Sequence, residues 1–216
     1  MIIQFILKNY KYIGFLIYNS MITLFENFRK DKYPNKKLII VDIQPSYRIH
    51  MNMDMTDFTE WLNHHHEFDI LYLYNGPEMG YEDEYEIRNW LLEYGLESDE
   101  NMTFYEKGYG FFRDLMDSDV DDEVMIEIGK YMLENNLSDI RQIKEEDRKQ
   151  FDIDEKYFSS MYSFGFTGLE IELESFLNKG DKPLLIGGGQ YECFKEVVLM
   201  LEMLGYGWDK ESQFIY

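Results

Sequence analysis

The sharpest candidate for covalent chemistry is Cys193, the single cysteine of the chain. It follows an apolar run, Pro183 to Ile186, and three consecutive glycines, Gly187 to Gly189. It precedes Val197, Val198, Leu201 and Leu204 at helical spacing. That order predicts a place in the first turn of a helix. There the unsatisfied N–H groups and the positive end of the helix dipole favour a thiolate, and a thiol of lowered pKa is a nucleophile. The glycines would let backbone amides approach a carbonyl oxygen, which is the requirement of an oxyanion hole. The bland alternative is a cysteine serving as a small buried hydrophobe. Asp42 closes a second apolar run, LIIV, where a carboxylate can accept the proton of a thiol or cap the next helix. Lys107 follows a third run and is succeeded by Gly108 and Gly110. Its ammonium could stabilise developing negative charge, pair with Asp42, or lie on the surface as most lysines do.

These residues all stand at the ends of predicted strands. Leu38 to Val41, Asp69 to Tyr74, Met102 to Glu106 and Pro183 to Ile186 are short apolar runs, and Phe214 to Tyr216 reads as an added edge strand. Helical patterns cover Thr56 to Asn63, Glu82 to Tyr94 (stopped by Gly95), Phe111 to Met116, Asp122 to Glu134, Leu169 to Leu177 and Glu192 to Leu204. Alternation of this kind predicts an α/β fold: a three-layer, Rossmann-like sandwich on a mostly parallel sheet. In such sheets function gathers beyond the carboxyl ends of the strands, which singles out Asp42, Asn75, Lys107 and the turn from Gly187 to Cys193. Tyr47, Tyr74, Tyr109 and Phe111 lie near those ends and could line a pocket for a small molecule.

The segment LIIVDIQPSY, with Asp42, Gln44 and Tyr47, resembles the opening strand and Asp-x-Gln motif of isochorismatase-like cysteine hydrolases. LLIGGGQYECFKEVVLMLEMLGY resembles that family's closing strand, Gly-rich turn and cysteine helix, with Gln190 where the family usually has Thr. The resemblance covers about a third of the chain. It implies a triad of Asp42 as general base, Lys107 as electrostatic partner and Cys193 as nucleophile, cleaving a small amide or related molecule, often within an oligomer. Gln44 and Gln190 then join the substrate-binding set with Gly188 and Gly189, whose backbone amides would hold the oxyanion. Lys156 is the rival lysine, since the stretch after it also looks like the family's. Lys107 is preferred because an apolar strand leads into it, whereas Lys156 follows the acidic FDIDE. Placing Lys107 in the triad requires an insertion over about residues 113–157.

Over 216 residues, 42 Asp and Glu against 21 Lys and Arg leave a formal charge of −21. That charge opposes binding to nucleic acid, whose affinity rests on phosphate neutralisation, and to an anionic membrane surface. With 45% apolar residues the chain has ample material for one core, read here as a single domain over residues 38–216. Residues 1–37 read as an apolar N-terminal extension. Gln4, Lys8, Asn9 and Lys11 interrupt the run of about 20 apolar residues that a spanning helix needs, so a membrane is not expected as a partner. A lone cysteine fits a reducing, cytoplasmic compartment. Neither cofactor nor metal is expected. Asp42 with Glu82, Asp83 or Asp117 could hold a divalent ion for phosphoesterase chemistry, but no spacing picks out a ligand set, and the EF-hand pattern fails at Asp122 and Ile128. His64, His65 and His66 read as surface loop, because adjacent histidines diverge in direction. A catalytically silent accessory or interaction protein on the same fold is the remaining alternative. The abundance of Ile, Asn, Lys and Tyr points to an AT-rich genome such as some viruses have.

Overall fold

The structure is a computed structural model that describes residues 36–116, 118, 120–159 and 165–216. Most of the N-terminal extension, and Asp117 among the candidate metal ligands, lie outside the described residues. A parallel five-stranded sheet runs through the domain in the order β3-β2-β1-β4-β5. The strands are β1 (Lys37–Val41), β2 (Asp69–Tyr74), β3 (Met102–Glu106), β4 (Leu184–Gly187) and β5 (Asp209–Lys210). The three-layer α/β reading therefore holds. The edge strand is Asp209–Lys210 and not Phe214 to Tyr216. Ser212–Phe214 form a short 3-10 turn that drops Phe214 onto Phe58, with ring centroids 5.3 Å apart.

Side-chain alternation gives the sheet two buried faces. On one, Ile39, Val41, Leu71, Leu73 and Leu185 meet helices α3 (Phe111–Met116), α4 (Asp122–Glu134), α6 (Leu169–Phe176) and α7 (Cys193–Leu204). On the other, Ile40, Tyr72 and Ile186 are covered from the side of α1 (Met55–Asn63) and α2 (Glu84–Glu93), whose Met55, Phe58, Leu62, Ile87 and Leu91 are buried. Local signals start and stop these helices. Asp54 accepts the Thr56 N–H at the head of α1, Asp83 and Glu86 form a capping box on α2, and Gly95 turns left-handed just after it. The segment expected as an insertion is largely structural. Met125, Ile128, Met132, Ile140, Ile143, Phe151 and Phe158 are buried in the first of these layers, around 3-10 turns and the one-turn α5 (Glu145–Arg148).

The histidine triplet is split by the turn that ends α1. His64 and His66 are exposed, but His65 is buried and stacked on Trp61 at 4.1 Å, so it belongs to the core edge and not to a surface loop. Among the described residues no helix is long and apolar enough to cross a membrane.

Candidate functional site

Strands β2 and β3 extend the sheet from β1 in one direction, and β4 and β5 extend it in the other. The chain therefore reverses direction of travel between β1 and β4, and a crevice opens there beyond the strand ends. Asp42 leaves β1 at this point and Cys193 opens the helix that follows β4. Both backbones are unusual. Asp42 has φ +49°, in the left-handed region that an L-residue occupies at a cost of order 1–3 kcal/mol. The strand-end geometry is held by its N–H donating to the Leu73 carbonyl at 2.9 Å and its carbonyl accepting the Tyr216 hydroxyl at 2.9 Å. Gly187 has φ +83°, and a Cβ there would fall 2.2 Å from the Val41 carbonyl oxygen, so the turn demands glycine on both counts.

The residues proposed as a triad converge. Lys107, fully buried, places Nζ 3.1 Å from Asp42 Oδ2 and donates to Asn75 Oδ1 at 3.2 Å. Lys107, and not Lys156, occupies this place; Lys156 is exposed and pairs with Asp154. The Asp42 carboxylate acts electrostatically on the Cys193 thiol, and neither of its oxygens has a hydrogen-bond partner. A fourth member, Glu196, escaped the sequence reading. It lies one turn along α7 from Cys193, is buried, and sets Oε2 3.5 Å from Lys107 Nζ, while Gly110 N–H donates to its Oε1 at 3.4 Å.

This electrostatic setting overturns one expectation. The helix start was read as favouring a thiolate, but burial and the facing Asp42 push the Cys193 thiol up, and Lys107 offsets only part of that. That setting disfavours a thiolate. Burial alone would push the Lys107 ammonium down, yet Asp42 and Glu196 together hold it up and keep it charged.

The remaining candidates sort by depth. Gln44 and Asn75 lie beneath the site, where Gln44 Nε2 donates to the Asn75 carbonyl and Asn75 N–H returns a bond to Gln44 Oε1. They brace the strand ends instead of facing a ligand. Asn75 also donates to the Tyr47 hydroxyl at 2.9 Å. Above them a cavity of about 430 Å³ is lined by Tyr47, Tyr81, Tyr109, Gly189, Cys193 and Tyr216, with His50, Arg113 and Glu192 around it. Two candidate wall residues are corrected. Phe111 is wholly buried against Phe112 and Phe166, and Tyr74 packs beside Phe104, away from this cavity. Gln190 is exposed and its N–H is spent on the Tyr216 carbonyl at 2.7 Å, so the backbone donor there is not free for an oxyanion. The Cys193 N–H, at the first helical position, has no acceptor within its helix. Gly188 is buried in the turn, with its carbonyl accepting the Tyr216 N–H at 3.2 Å.

Tyr216 and Tyr81 were also missed by the sequence reading. Tyr81 packs on Tyr47 with ring centroids 5.2 Å apart.

The metal alternative fares differently. Glu82 accepts from Gln44 and Ser46, and Asp83 caps α2. The place between Asp42 and Glu196 is filled by the Lys107 ammonium, and no group of three His, Cys, Asp or Glu is positioned to hold a metal among the described residues. Compared with family models, curated proteins and solved structures, the chain matches none.

Proposed function

We propose that the chain is a cysteine hydrolase of small amides or related molecules. The observation that supports this is the buried Asp42–Lys107 pair beyond two strand ends, coupled electrostatically to Cys193, which opens onto a tyrosine-walled cavity. A nucleophile, a base within reach and a fixed cation are what acyl transfer needs, and the cavity is of a size that fits a small molecule.

In this reading the substrate carbonyl lies above Cys193. Asp42 takes the thiol proton as sulfur bonds to the carbonyl carbon. The new oxyanion is held by the Cys193 N–H and the glycine-turn amides, with Lys107 supplying positive charge beneath. Asp42 returns the proton to the departing nitrogen as the C–N bond breaks, leaving a thioester. Water then attacks the thioester and gives its proton to Asp42. The C–S bond breaks, the acid leaves, and the proton returns to sulfur. A neutral resting thiol suits this sequence, because the proton moves to Asp42 only as the new bond forms.

The same neutral thiol also favours the silent accessory reading, and one pair of measurements separates the two. Asp42→Asn removes negative charge beside Cys193, so iodoacetamide alkylation at neutral pH should accelerate. Ammonia release from a panel of small primary carboxamides should fall by roughly 10²-fold or more, because the base is gone. A thiol inert to iodoacetamide in both proteins, with no turnover in either, would favour the accessory role.

A further inference from the structure

Glu196 is a buried carboxylate that the proposed mechanism leaves unused. Both partners it has are donors: the Gly110 N–H at 3.4 Å on Oε1 and the Lys107 ammonium at 3.5 Å from Oε2. Oε2 makes no hydrogen bond and meets the ammonium only as an ion pair, so both contacts suit a carboxylate. We propose that Glu196 is ionised and acts as a positioning residue, anchoring the Lys107 ammonium against Asp42 and keeping the Cys193 thiol protonated until substrate arrives. The proposal rests on the reading of Cys193 as nucleophile.

The reasoning is one of charge balance. Around Cys193 stand Asp42 beyond β1, Lys107 beyond β3 and Glu196 on its own helix, with the phenols of Tyr47, Tyr109 and Tyr216 in the cavity walls and His50, Arg113 and Glu192 farther out. In the buried core of this set one cation faces two carboxylates. A thiolate would add a third anion beside two buried carboxylates, so the second carboxylate opposes thiolate formation. Burial and, less strongly, Asp42 raise Glu196's own carboxyl on balance above its ordinary value, against the lowering by Lys107 and the Gly110 N–H, so its ionised state depends on that ammonium. The consequence for chemistry is a nucleophile protected from adventitious oxidation and alkylation, since those reactions need the thiolate.

Because Cys193 is the single cysteine, the rate of iodoacetamide alkylation of the full chain against pH reports it alone. Glu196→Gln should move the profile to lower pH and raise the rate at neutral pH by about tenfold for each unit moved. Glu196→Asp, which keeps the charge, should stay near wild type. A Glu196→Gln profile that overlays wild type would overturn the proposal, as would equal shifts in the Gln and Asp variants, which would mean packing and not charge. Asp42→Asn separates the layers of the argument. If Asp42→Asn shifts the profile and Glu196→Gln does not, only the role of Glu196 fails. If neither shifts it, the thiol is not coupled to the cluster and the nucleophile reading fails with it. Glu196→Met, uncharged and of similar length, replaces the Gln variant if that does not fold. Failure of both to fold while Glu196→Asp folds would assign the carboxylate to stability and overturn the proposal.

Discussion

Replacing Lys107 by methionine would keep the volume of its buried stem but leave Asp42 and Glu196 without the ammonium that lies between them. Uncompensated buried charge of this kind costs about 3–5 kcal/mol. We expect Lys107→Met to lower the unfolding free energy from urea titration by that much at neutral pH, and the deficit to narrow as pH falls and the carboxylates take up protons. Cys193→Ser should leave the unfolding free energy from urea titration within about 1 kcal/mol of wild type, since the two side chains differ little in volume, while abolishing any amide hydrolysis. The placement of Asp42, Lys107 and Cys193 was legible because each ends or follows an apolar strand, and a parallel sheet must carry strand ends to a common edge. Glu196 was legible in principle. It falls three residues after Cys193 on the face that also carries Val197, Met200 and Leu201, so an acid there interrupts a buried stripe. Tyr216 carried no such signal, because its contact with Asp42 joins residues 174 positions apart and nothing local encodes it.

At the level of elements, the turn after β4 carries the sharpest constraint. Gly187→Ala would force a side chain into the left-handed region and into the Val41 carbonyl. We expect a loss of about 2 kcal/mol or more, read as a lower urea midpoint, and a widened distance between Cys193 and Asp42. Gly180, with φ +91° and open space around it, makes the comparison informative: alanine there should show the backbone strain without the collision. Four of the five strands and the principal helices could be read from apolar runs and capping residues such as Asp83 and Gly95, whose effects are local. The fifth strand could not. Asp209–Lys210 is two exposed residues paired to Leu184 and Leu185, a strand made by its neighbour and not by its own composition. Phe214 misled for a related reason: an apolar residue near a chain end suits an edge strand or a plug equally, and only the site beside Phe58 and Trp61 decides between them.

For the whole molecule, the buried polar layer sets how stability responds to alkali. The Cys193 thiol is held above its ordinary 9.0, the Lys107 ammonium above 10.5, and the Tyr72 and Tyr216 phenols above 10.0, chiefly because burial disfavours the anions and the carboxylates favour the ammonium. In each case the folded chain keeps a proton that the unfolded chain releases. This stability is present below those ordinary values and is lost as pH rises through the window above them. Urea midpoints should therefore hold from about pH 7 to 9 and then fall steeply, and in Cys193→Ser the fall should begin roughly a unit later, where the lysine and tyrosines take over. The strand order carries a further consequence, for the birth of the protein. β1 meets β2 soon after both are made, but its other edge waits for β4, and Leu38 for Leu184. At ribosomal speeds of about 5–20 residues per second that edge stays open for on the order of ten seconds. Throughout that interval Asp42 has been synthesised and Cys193 has not, so a chain released early carries Asp42 on an unpaired, adhesive strand without the thiol that would stand near it.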